Sequence, residues 1–354
     1  MKNNPKGSPK LHRVGIVGSR FGGEVHIPAF RAQGRFEVIA IASPTQAAEV
    51  ARERRVPHAF SSLEEMLASV DLDVVSIAAP PFAHETQTLT ALAAGAHVLC
   101  EKPMALDPTQ ARAMRDAAAR SGKITALAHE FRYLPSVLAM RELIANRHLG
   151  ALREIEITWF TQYLRASGDR KNSWYFERAR GGGMTGAVLS HLIDLACHLA
   201  GRPPRRSEGF ERTANPTRRS GNGTFSSNVA DGAFALLDFG DGLVARLSTD
   251  ATRPVESATI AIHGETRTVV AAGPNPTQAT TYTIDDEETA ELELRASPHA
   301  KLSAAPGAQR NLPAFVDLLD RFADALDGKP AELPTFDDGL LTQEVLAKIG
   351  YLPR

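Results

Sequence analysis

The sequence predicts an α/β protein whose first part is a doubly wound parallel sheet and whose second part is an α+β domain with a large, mostly antiparallel open sheet. Short β-branched runs alternate with helical stretches over the first third of the chain, which is typical of a parallel sheet covered by helices on both faces. A glycine-rich turn follows the first of these runs. Beyond residue 150, longer strands follow one another with few helices between them. We therefore assign residues 1–130 to the first domain and residues 131–354 to the second.

Length and composition exclude several classes of protein. The chain of 354 residues is too long for one small domain, and its 43% hydrophobic and 23% charged residues are typical of a folded globular protein. A formal net charge of -1 gives no overall field that would attract nucleic acid or an anionic membrane surface. Cys100 and Cys197 are too few cysteines for a disulfide scaffold or a four-cysteine zinc site. The polar first ten residues do not resemble a signal peptide, and no apolar run has membrane-spanning length, so we expect a soluble, cytoplasmic protein without nucleic-acid or membrane partners.

The first domain is predicted to contain short strands that are apolar on both faces. They are Leu11–Val17, Phe36–Ala42, Asp73–Ala79, His97–Cys100 and Ile124–Ala128. The helices predicted between them are Gln46–Arg55, Ser61–Ala68, His84–Ala94 and Pro108–Arg120. Ser62 and Glu65 form a capping-box pattern, and Asp107 followed by Pro108 is a typical helix start. The short connections between these elements favour a parallel, doubly wound topology.

The second domain is predicted to begin with a helix near Pro135–Arg147 and then to consist mainly of strands. The candidate strands are Leu152–Phe160, Asn228–Phe239, Leu243–Asp250, Ala258–His263 and Arg267–Ala271. A helix at roughly Met184–Ala200 interrupts them, and two more helices start at Leu312 and Asp337. We interpret Arg202–Gly223 as a solvated surface loop, and its arginines as less typical of a basic binding patch because two glutamates lie among them.

Val14–Gly23 reads as a strand, a tight turn and a helix start, which is the context of a Rossmann dinucleotide-binding fingerprint. Gly18 and Gly23 occupy the first and third glycine positions of G-x-G-x-x-G, whereas Arg20 replaces the second. Gly18 permits the turn, Gly23 permits close helix–strand packing, and Arg20 projects outward to meet a phosphate or stack on adenine. A glycine turn without a ligand is the alternative. The dinucleotide-binding residues predicted here are Gly18, Ser19, Arg20, Phe21, Gly22 and Gly23.

The end of the second predicted strand bears on the choice between NAD and NADP. An NAD-specific site usually places a carboxylate there to bind the ribose hydroxyls, but this chain has Ala-Ser-Pro-Thr at residues 42–45. Glu37 has a suitable spacing but lies at the wrong end of the strand. Without a carboxylate nothing repels a 2′-phosphate, and Ser43, Thr45 and Arg20 could each bind one. This pattern favours NADP over NAD.

Two titratable side chains stand out as candidates for proton transfer. Lys102 follows the carboxyl end of a predicted strand, where doubly wound sheets bind ligands, and the alternative is a solvated lysine paired with Glu101. His191, Asp194 and His198 fall at i, i+3 and i+7 of one predicted helix and therefore share a face. His191 could act as a general acid or base there, with Asp194 binding substrate or bracing the helix. An ordinary polar helix face is an alternative, as is a metal site, which we do not predict because no further ligands cluster nearby.

Other polar and aromatic residues are candidates for binding a substrate. Arg132 follows the last predicted strand of the first domain at its carboxyl end, where it could hold a substrate oxygen or stabilise the domain junction. Tyr163 and Trp174 precede Gly181-Gly182-Gly183, and aromatic side chains suit stacking on a sugar ring. We predict Arg132, Tyr163, Trp174, Asp194 and His191 as substrate-binding residues.

The sequence resembles the glucose–fructose oxidoreductase / inositol dehydrogenase (Gfo/Idh/MocA) family. The resemblance rests on the glycine turn, on P-P-F-A-H at residues 80–84, on A-G-A-H-V-L-C-E-K-P at residues 94–103 and on G-G-G-M-T-G-A-V-L-S-H-L-I-D at residues 181–194. It implies a Rossmann domain that binds a nicotinamide dinucleotide, followed by a domain with the substrate pocket and an open sheet for homodimers or homotetramers. It favours Lys102 and His191 as catalytic residues. Further cofactor contacts predicted at the sheet rim are Ala79, Pro80, His84, Glu101 and Lys102.

One departure from the family pattern concerns the histidine. Many members carry an aspartate four residues before it, where this chain has Ala187, and a glycine two residues before it, where this chain has Leu189. We expect an NAD(P)-dependent dehydrogenase or reductase that transfers hydride between nicotinamide and a carbohydrate- or polyol-like hydroxyl or carbonyl. The alternatives are an NAD-dependent glycosidase that uses transient oxidation and a non-catalytic dinucleotide-binding sensor.

Overall fold

The computed structural model describes residues 11–304 and 309–353, so the predicted absence of a signal peptide in the first ten residues lies outside the described residues. The first sheet contains six parallel strands in the order β3-β2-β1-β4-β5-β6. The strands are β1 His12–Val17, β2 Phe36–Ala42, β3 His58–Phe60, β4 Val74–Ile77, β5 His97–Cys100 and β6 Thr125–Leu127. The predicted doubly wound parallel sheet is confirmed, although β3 was not predicted.

Helices connect these strands and cover both faces of the sheet. They are α1 Ile27–Gln33, α2 Ala47–Arg54, α3 Leu63–Ser69, α4 His84–Ala93 and α5 Pro108–Ser121. The Asp107 carboxylate accepts hydrogen bonds from two N–H groups in the first turn of α5. Ser62 caps α3 by accepting from the N–H of Glu65, whose carboxylate accepts from the N–H of Ser61. The polar residues therefore begin these helices where the sequence indicated.

The second sheet has eight strands in the order β16-β15-β14-β13-β7-β12-β11-β8, and it is antiparallel except where β12 pairs with β7. The strands and helices of this part are α6 Pro135–Ala145, β7 Leu152–Phe160, α7 Ser190–Ala200, β8 Arg206–Arg212, β9 Thr217–Ser220, β10 Gly223–Ser226, β11 Gly232–Gly240, β12 Leu243–Asp250, β13 Ser257–Gly264, β14 Thr268–Gly273, β15 Thr280–Ile284, β16 Thr289–Glu291, α8 Leu312–Leu326 and α9 Phe336–Lys348. The predicted open, mostly antiparallel sheet is confirmed.

The prediction of a solvated loop at Arg202–Gly223 is wrong. β8 is an edge strand of the second sheet, and β9 pairs with β10 as a separate hairpin. Carboxylates pair with several of the arginines, most of which remain exposed. Arg218 is buried and donates to an oxygen of Asp231 at 3.2 Å and to the carbonyl of Leu164 at 2.6 Å.

The chain returns to the first sheet after completing the second. α8 contributes Phe315 and Phe322 to the apolar core that contains Phe30 and Phe36 of the first sheet layer. α9 packs against α5, and the backbone beside it pairs with β6 through a hydrogen bond from the N–H of Leu127 to the carbonyl of Pro334 at 2.8 Å. Among residues 11–304 and 309–353, no helix combines the length and apolar character needed to cross a membrane.

Candidate dinucleotide site and active site

The glycine turn draws together the carboxyl ends of three strands. Gly18 directly follows β1, has a φ of +107°, and its N–H donates to the carbonyl of Ala42 at 2.9 Å. A Cβ atom at Gly18 would lie 2.3 Å from the carbonyl oxygen of Ala78, which follows β4. Only glycine combines this backbone conformation with so close an approach. The turn therefore lies over the point where the strand order reverses between β1 and β4, where doubly wound sheets bind ligands.

The next two glycines divide the packing roles differently from the prediction. A Cβ atom at Gly22 would lie 2.9 Å from the side chain of Ile16 on β1, whereas one at Gly23 would lie 3.0 Å from Val50 on α2. The close helix–strand contact thus belongs to Gly22, and the assignment of that role to Gly23 is wrong. Both glycines lie in a π-helical turn at Gly22–His26.

The segment after β2 has no carboxylate at residues 42–46, where an NAD-specific site usually binds the ribose hydroxyls. The carbonyl of Ser19 accepts from the N–H of Gly23 at 3.1 Å, so the first turn of the following helix begins beside the crevice. The Ser19 hydroxyl donates to the Gln46 side chain at 3.0 Å and accepts from the Ser43 hydroxyl at 3.3 Å. The side chains of Arg20 and Thr45 are exposed. Hydroxyls and an amide therefore lie at the end of β2, and Arg20 is exposed on the neighbouring glycine turn.

His84 joins the two loops that follow β4 and β5. Its ring is fully buried, with Nε2 2.7 Å from the carbonyl oxygen of Ala79 and Nδ1 3.0 Å from that of Pro103. Burial lowers the pKa of His84 although both carbonyls favour its charged form. Because both ring nitrogens face protein carbonyls, we assign His84 to positioning these loops. Ala79 and Pro80 lie half-buried at the rim.

Lys102 reaches across the cleft rather than pairing with Glu101 on the surface. Its Nζ donates to the carbonyl of Ala187 at 3.0 Å, in the π-helical turn Thr185–Leu189 that leads into α7. Glu101 is buried and accepts from the backbone N–H of Lys102 at 3.2 Å. The lysine is thereby held between the end of β5 and the start of the helix that carries His191.

His26 is a site residue that the sequence did not reveal. Its ring is fully buried, with Nδ1 2.7 Å from the hydroxyl of Ser76 and Nε2 3.1 Å from a carboxylate oxygen of Glu101. Burial raises the pKa of Glu101, but the hydrogen bond from His26 and the charge of Lys102 outweigh it, so the net pKa is lowered. His26 lies about one helical turn after the glycines in the sequence, but no spacing pattern in the sequence identifies it as a site residue.

Glu130 is a second buried carboxyl group that was not predicted. It follows β6, and its Oε1 accepts from the side-chain amide of Asn311 at 2.8 Å. Burial and the charge of Glu101 raise the pKa of Glu130 to about 7, against the opposing effect of Lys102. Two carboxyl groups with opposite pKa shifts therefore lie close to the lysine.

His191 lies on the first turn of α7 and is 3% exposed. The ring of Phe131 stacks on it at 4.3 Å, and the ring of His129 meets it edge-on at 5.5 Å. Burial lowers the pKa of His191 well below its ordinary value, and the charges of Lys102 and His129 lower it further. The imidazole is consequently neutral near pH 7 and able to accept a proton.

Arg132 and Asp194 are bound to each other. Arg132 donates from Nε to one carboxylate oxygen at 2.8 Å and from Nη2 to the other at 2.5 Å. Both side chains are buried, and Asp338 lies 3.3 Å from the same guanidinium. Although burial opposes its charge, Asp194 raises the pKa of Arg132. His198 lies outside this ion pair. Burial and the positive charge of Arg132 lower the pKa of His198 to about 4.

The predicted aromatic residues lie on one segment between β7 and α7. Tyr163 is 49% exposed with the guanidinium of Arg170 4.4 Å above its ring. The rings of Tyr163 and Trp174 both meet Tyr175 edge-on, at 5.7 and 6.0 Å. The triple glycine that follows lets this segment approach closely, because a Cβ atom at Gly182 would lie 2.2 Å from the carbonyl oxygen of Tyr175.

Side chains of the metal-ligating types come close together elsewhere in the molecule. Within the described ranges, the group of His, Cys, Asp or Glu side chains close enough to share an ion is His299, Asp317 and Asp320. It lies on α8 and the segment before it, and His191 is not part of it.

Comparison with known proteins identifies both parts of the chain. Residues 12–129 match the model of the oxidoreductase family with an NAD-binding Rossmann fold, GFO_IDH_MocA, and residues 137–270 match the GFO/IDH/MocA C-terminal domain. An uncharacterised oxidoreductase of Synechocystis is 36% identical over 196 residues, which are 55% of this chain and 52% of that protein. The chain thus matches only about half the length of that relative.

Two characterised relatives match over more of their length. Levoglucosan dehydrogenase of Pseudarthrobacter phenanthrenivorans is 28% identical over 73% of this chain and 72% of its own. D-glucoside 3-dehydrogenase of Escherichia coli is 26% identical over 99% of this chain and 97% of its own.

A solved structure has the same fold. The structure of levoglucosan dehydrogenase in complex with NADH and levoglucosan superposes with a TM-score of 0.83 at 22% identity, covering 96% of each chain. At that identity the similarity concerns the fold. Taken with the two family models, it shows that this chain belongs to the Gfo/Idh/MocA family of NAD-binding oxidoreductases.

Proposed function

We propose that the protein transfers hydride between a nicotinamide dinucleotide and a carbohydrate- or polyol-like hydroxyl or carbonyl. The observation that carries this proposal is the bond from Lys102 Nζ to the carbonyl of Ala187, four residues before His191. It joins the rim of a dinucleotide-binding sheet to the helix that bears a neutral histidine. Relatives named levoglucosan dehydrogenase, D-glucoside 3-dehydrogenase and 1,5-anhydro-D-fructose reductase support the carbohydrate class.

The residues of this chain would handle the proton. A bound nicotinamide ring supplies the hydride acceptor or donor. The Lys102 side chain donates a hydrogen bond to the reacting substrate oxygen. His191 accepts the proton of the substrate hydroxyl in oxidation and returns a proton to the oxygen in reduction. Arg132 and Asp194 hold α7 and the segment after β6 in register through their paired charges, while Tyr163 and Trp174 offer rings for a sugar to stack on.

NADP is the preferred cofactor in this proposal. Ser43 and Thr45 follow β2, Arg20 is exposed on the glycine turn, and the chain has no acidic residue at positions 42–46. A 2′-phosphate there would meet hydroxyl and guanidinium donors and no carboxylate to repel it. Ser19, Phe21 and the glycines would hold the pyrophosphate through the backbone.

We also propose a homodimer or homotetramer in the cytoplasm, formed through the open face of the second sheet. Phe210 is 61% exposed and stacks on Phe234 at 4.9 Å, and Leu236 beside them is 49% exposed. These residues belong to a concavity of about 730 Å³ on β8, β11 and β12. Neither Cys100 nor Cys197 forms a disulfide, which suits a reducing compartment.

The first experiment is a fluorescence titration of the purified protein with NADPH and with NADH, after testing it for retained dinucleotide. Turnover is then measured with levoglucosan, methyl glucosides and 1,5-anhydrofructose. We expect NADPH to bind more tightly and at least one sugar to be oxidised or reduced. Retained NAD with sugar turnover but no net cofactor reduction would indicate the glycosidase. Dinucleotide binding without any turnover would indicate the sensor.

Lys102→Met tests the proposed proton chemistry. We expect turnover to fall by about 10²–10⁴-fold because the ammonium donor is lost, whereas the Kd of NADPH should change little. Lys301→Met, at an exposed lysine, is the control and should retain full turnover. Comparable turnover in Lys102→Met would remove this residue from the mechanism.

A further inference from the structure

Unsatisfied nitrogen atoms are concentrated beside His191. Both ring nitrogens of His129 and Nδ1 of His191 are buried and have no hydrogen-bond partner among residues 11–304 and 309–353. His129 is 1% exposed. Buried polar groups without a partner are rare in folded proteins, and those that occur call for a functional explanation.

The ring of His129 lies beside both His191 and a carboxylate that is held in place. His129 Nε2 is 3.9 Å from Oδ1 of Asp194, and its ring meets that of His191 edge-on with centroids 5.5 Å apart and an interplanar angle of 75°. Asp194 cannot easily turn away, because Arg132 holds both of its oxygens at 2.8 and 2.5 Å. His129 is thus situated between His191 and a charged acceptor, about one ångström beyond hydrogen-bond length from the latter.

We propose that His129 is a positioning residue that connects His191 to Asp194 and fixes the tautomer of His191. Asp194 can only accept, so in this arrangement the 3.9 Å contact shortens to a hydrogen bond in which Nε2 of His129 donates to the carboxylate. Nδ1 of His129 is then left as an acceptor, and we assign to it the N–H at Nδ1 of His191, which has no partner among the described residues. The lone pair at Nε2 of His191 is left for the substrate hydroxyl. This inference rests on the proposed function of His191.

The proton balance of sugar oxidation follows from this arrangement. As the hydroxyl O–H bond breaks, its proton passes to Nε2 of His191, and the two electrons of the substrate C–H bond leave with the hydride. The imidazolium formed on His191 keeps its Nδ1–H directed at His129, whose ring Asp194 orients. In reduction the same proton returns from His191 to the new alkoxide oxygen.

The charges facing the two rings agree with neutral histidines in the resting protein. Lys102 and Arg132 contribute positive charge, and Asp194 and Asp338 contribute negative charge. Burial lowers the pKa of His129 more than Asp194 raises it. A neutral His129 has one donor and one acceptor nitrogen, which is what the connection requires.

The test is ¹⁵N NMR of the full chain labelled at histidine, with His191→Gln to assign the His191 signals. The expected wild-type spectrum has His191 protonated at Nδ1 and bare at Nε2. His129→Gln should preserve this tautomer, since the amide oxygen can accept from His191 and the amide N–H can donate to Asp194. His129→Leu should abolish it. A wild-type His191 protonated at Nε2, or the same tautomer in His129→Leu, would overturn the proposal.

Kinetics give a second readout with the same variants. With any sugar that the wild type turns over, His129→Leu should lower kcat at least tenfold, His129→Gln should recover most of it, and the Kd of NADPH should stay within twofold. The control is His148→Leu, at an exposed histidine. Full kcat in His129→Leu would contradict the proposal. A wild type that turns over no sugar yet shows the expected tautomer would contradict the proposed function instead.

Discussion

The turn that carries Lys102 is flanked by two buried carboxyl groups in different protonation states. Glu101 is held ionised by the hydrogen bond from His26 and the charge of Lys102. Glu130, which burial and Glu101 shift in the other direction, is protonated over much of the range below neutral pH. The lysine therefore faces about one negative charge rather than two, which leaves its ammonium available to a substrate oxygen.

The raised pKa of Glu130 predicts a pH-dependent stability. Between the ordinary value of 4.5 and about 7, the folded protein keeps a proton that the unfolded chain has released. The free energy of unfolding should therefore fall as pH rises through this window, by up to about 3 kcal/mol. In Glu130→Gln, whose amide keeps the acceptor for Asn311, this contribution should be absent. Urea denaturation of both proteins at pH 4.5, 6 and 7.5 measures the difference.

The control for this prediction is Glu64→Gln, at an exposed carboxylate on α3. It should have the same pH dependence of the free energy of unfolding as the wild type. If wild type and Glu130→Gln differ by a constant amount across the three pH values, Glu130 titrates as in the unfolded chain, and the assignment of a protonated Glu130 beside Lys102 is incorrect.

Residues at strand ends were predictable from sequence, and those buried by tertiary contacts were not. Lys102 follows a recognisable strand and His191 lies within a recognisable helix, so both could be placed before the structure was known. His26, His129 and Glu130 acquire their properties from partners in distant segments, such as the 181-residue separation between Glu130 and Asn311. The mutual pairing of Arg132 and Asp194 depends in the same way on how α7, which packs on the second sheet, meets the segment after β6.

At the scale of elements, the glycine turn combines two demands at one position. The positive φ of Gly18 is shared with Gly34 at the end of α1, where φ is +85°. A Cβ atom at Gly34 would meet nothing within 4 Å, whereas one at Gly18 would meet a backbone carbonyl at 2.3 Å. Comparing Gly18 with Gly34 therefore separates the energetic cost of a positive φ from the cost of a close contact with the backbone.

We predict that Gly34→Ala lowers the free energy of unfolding by about 1 kcal/mol, the cost of a left-handed conformation for a residue with a Cβ atom. Gly18→Ala should cost more and should also weaken NADPH binding at least tenfold, because the ends of β1 and β4 must separate. Chemical denaturation and the fluorescence titration measure both effects. Equal stability and affinity in the two variants would show that the contact with Ala78 does not constrain the turn.

Elements with regular patterns were predicted well, and short or polar elements were not. The apolar strands of the first sheet and β7 were evident from burial on both faces or from clean alternation. β3 has three residues, two of them exposed, and offers no apolar pattern. The segment that contains β8 and β9 was interpreted as a loop because it is rich in Pro, Arg, Ser and Gly. The ion pairs of Arg212 with Asp250 and of Arg218 with Asp231 form only once the second sheet is folded.

At the scale of the whole molecule, the open face of the second sheet predicts self-association. Phe210→Asp should increase the monomer fraction in analytical ultracentrifugation, because a carboxylate on that face would be buried between subunits. Val255→Asp is the matched control, since Val255 is 69% exposed but lies in the turn before β13. Equal sedimentation of the wild type and Phe210→Asp would mean that this face does not mediate assembly.

The return of α8 and α9 to the first sheet has a consequence for biosynthesis. During translation the first sheet leaves the ribosome some 180 residues before α8, whose Phe315 and Phe322 complete its apolar core. The nascent chain must therefore carry an uncovered apolar surface around Phe30 and Phe36 while the whole second sheet is made. We therefore expect the incomplete chain to bind chaperones that recognise exposed aromatic side chains. For the same reason, a chain that ends before α8 should lose more stability than the number of missing residues suggests.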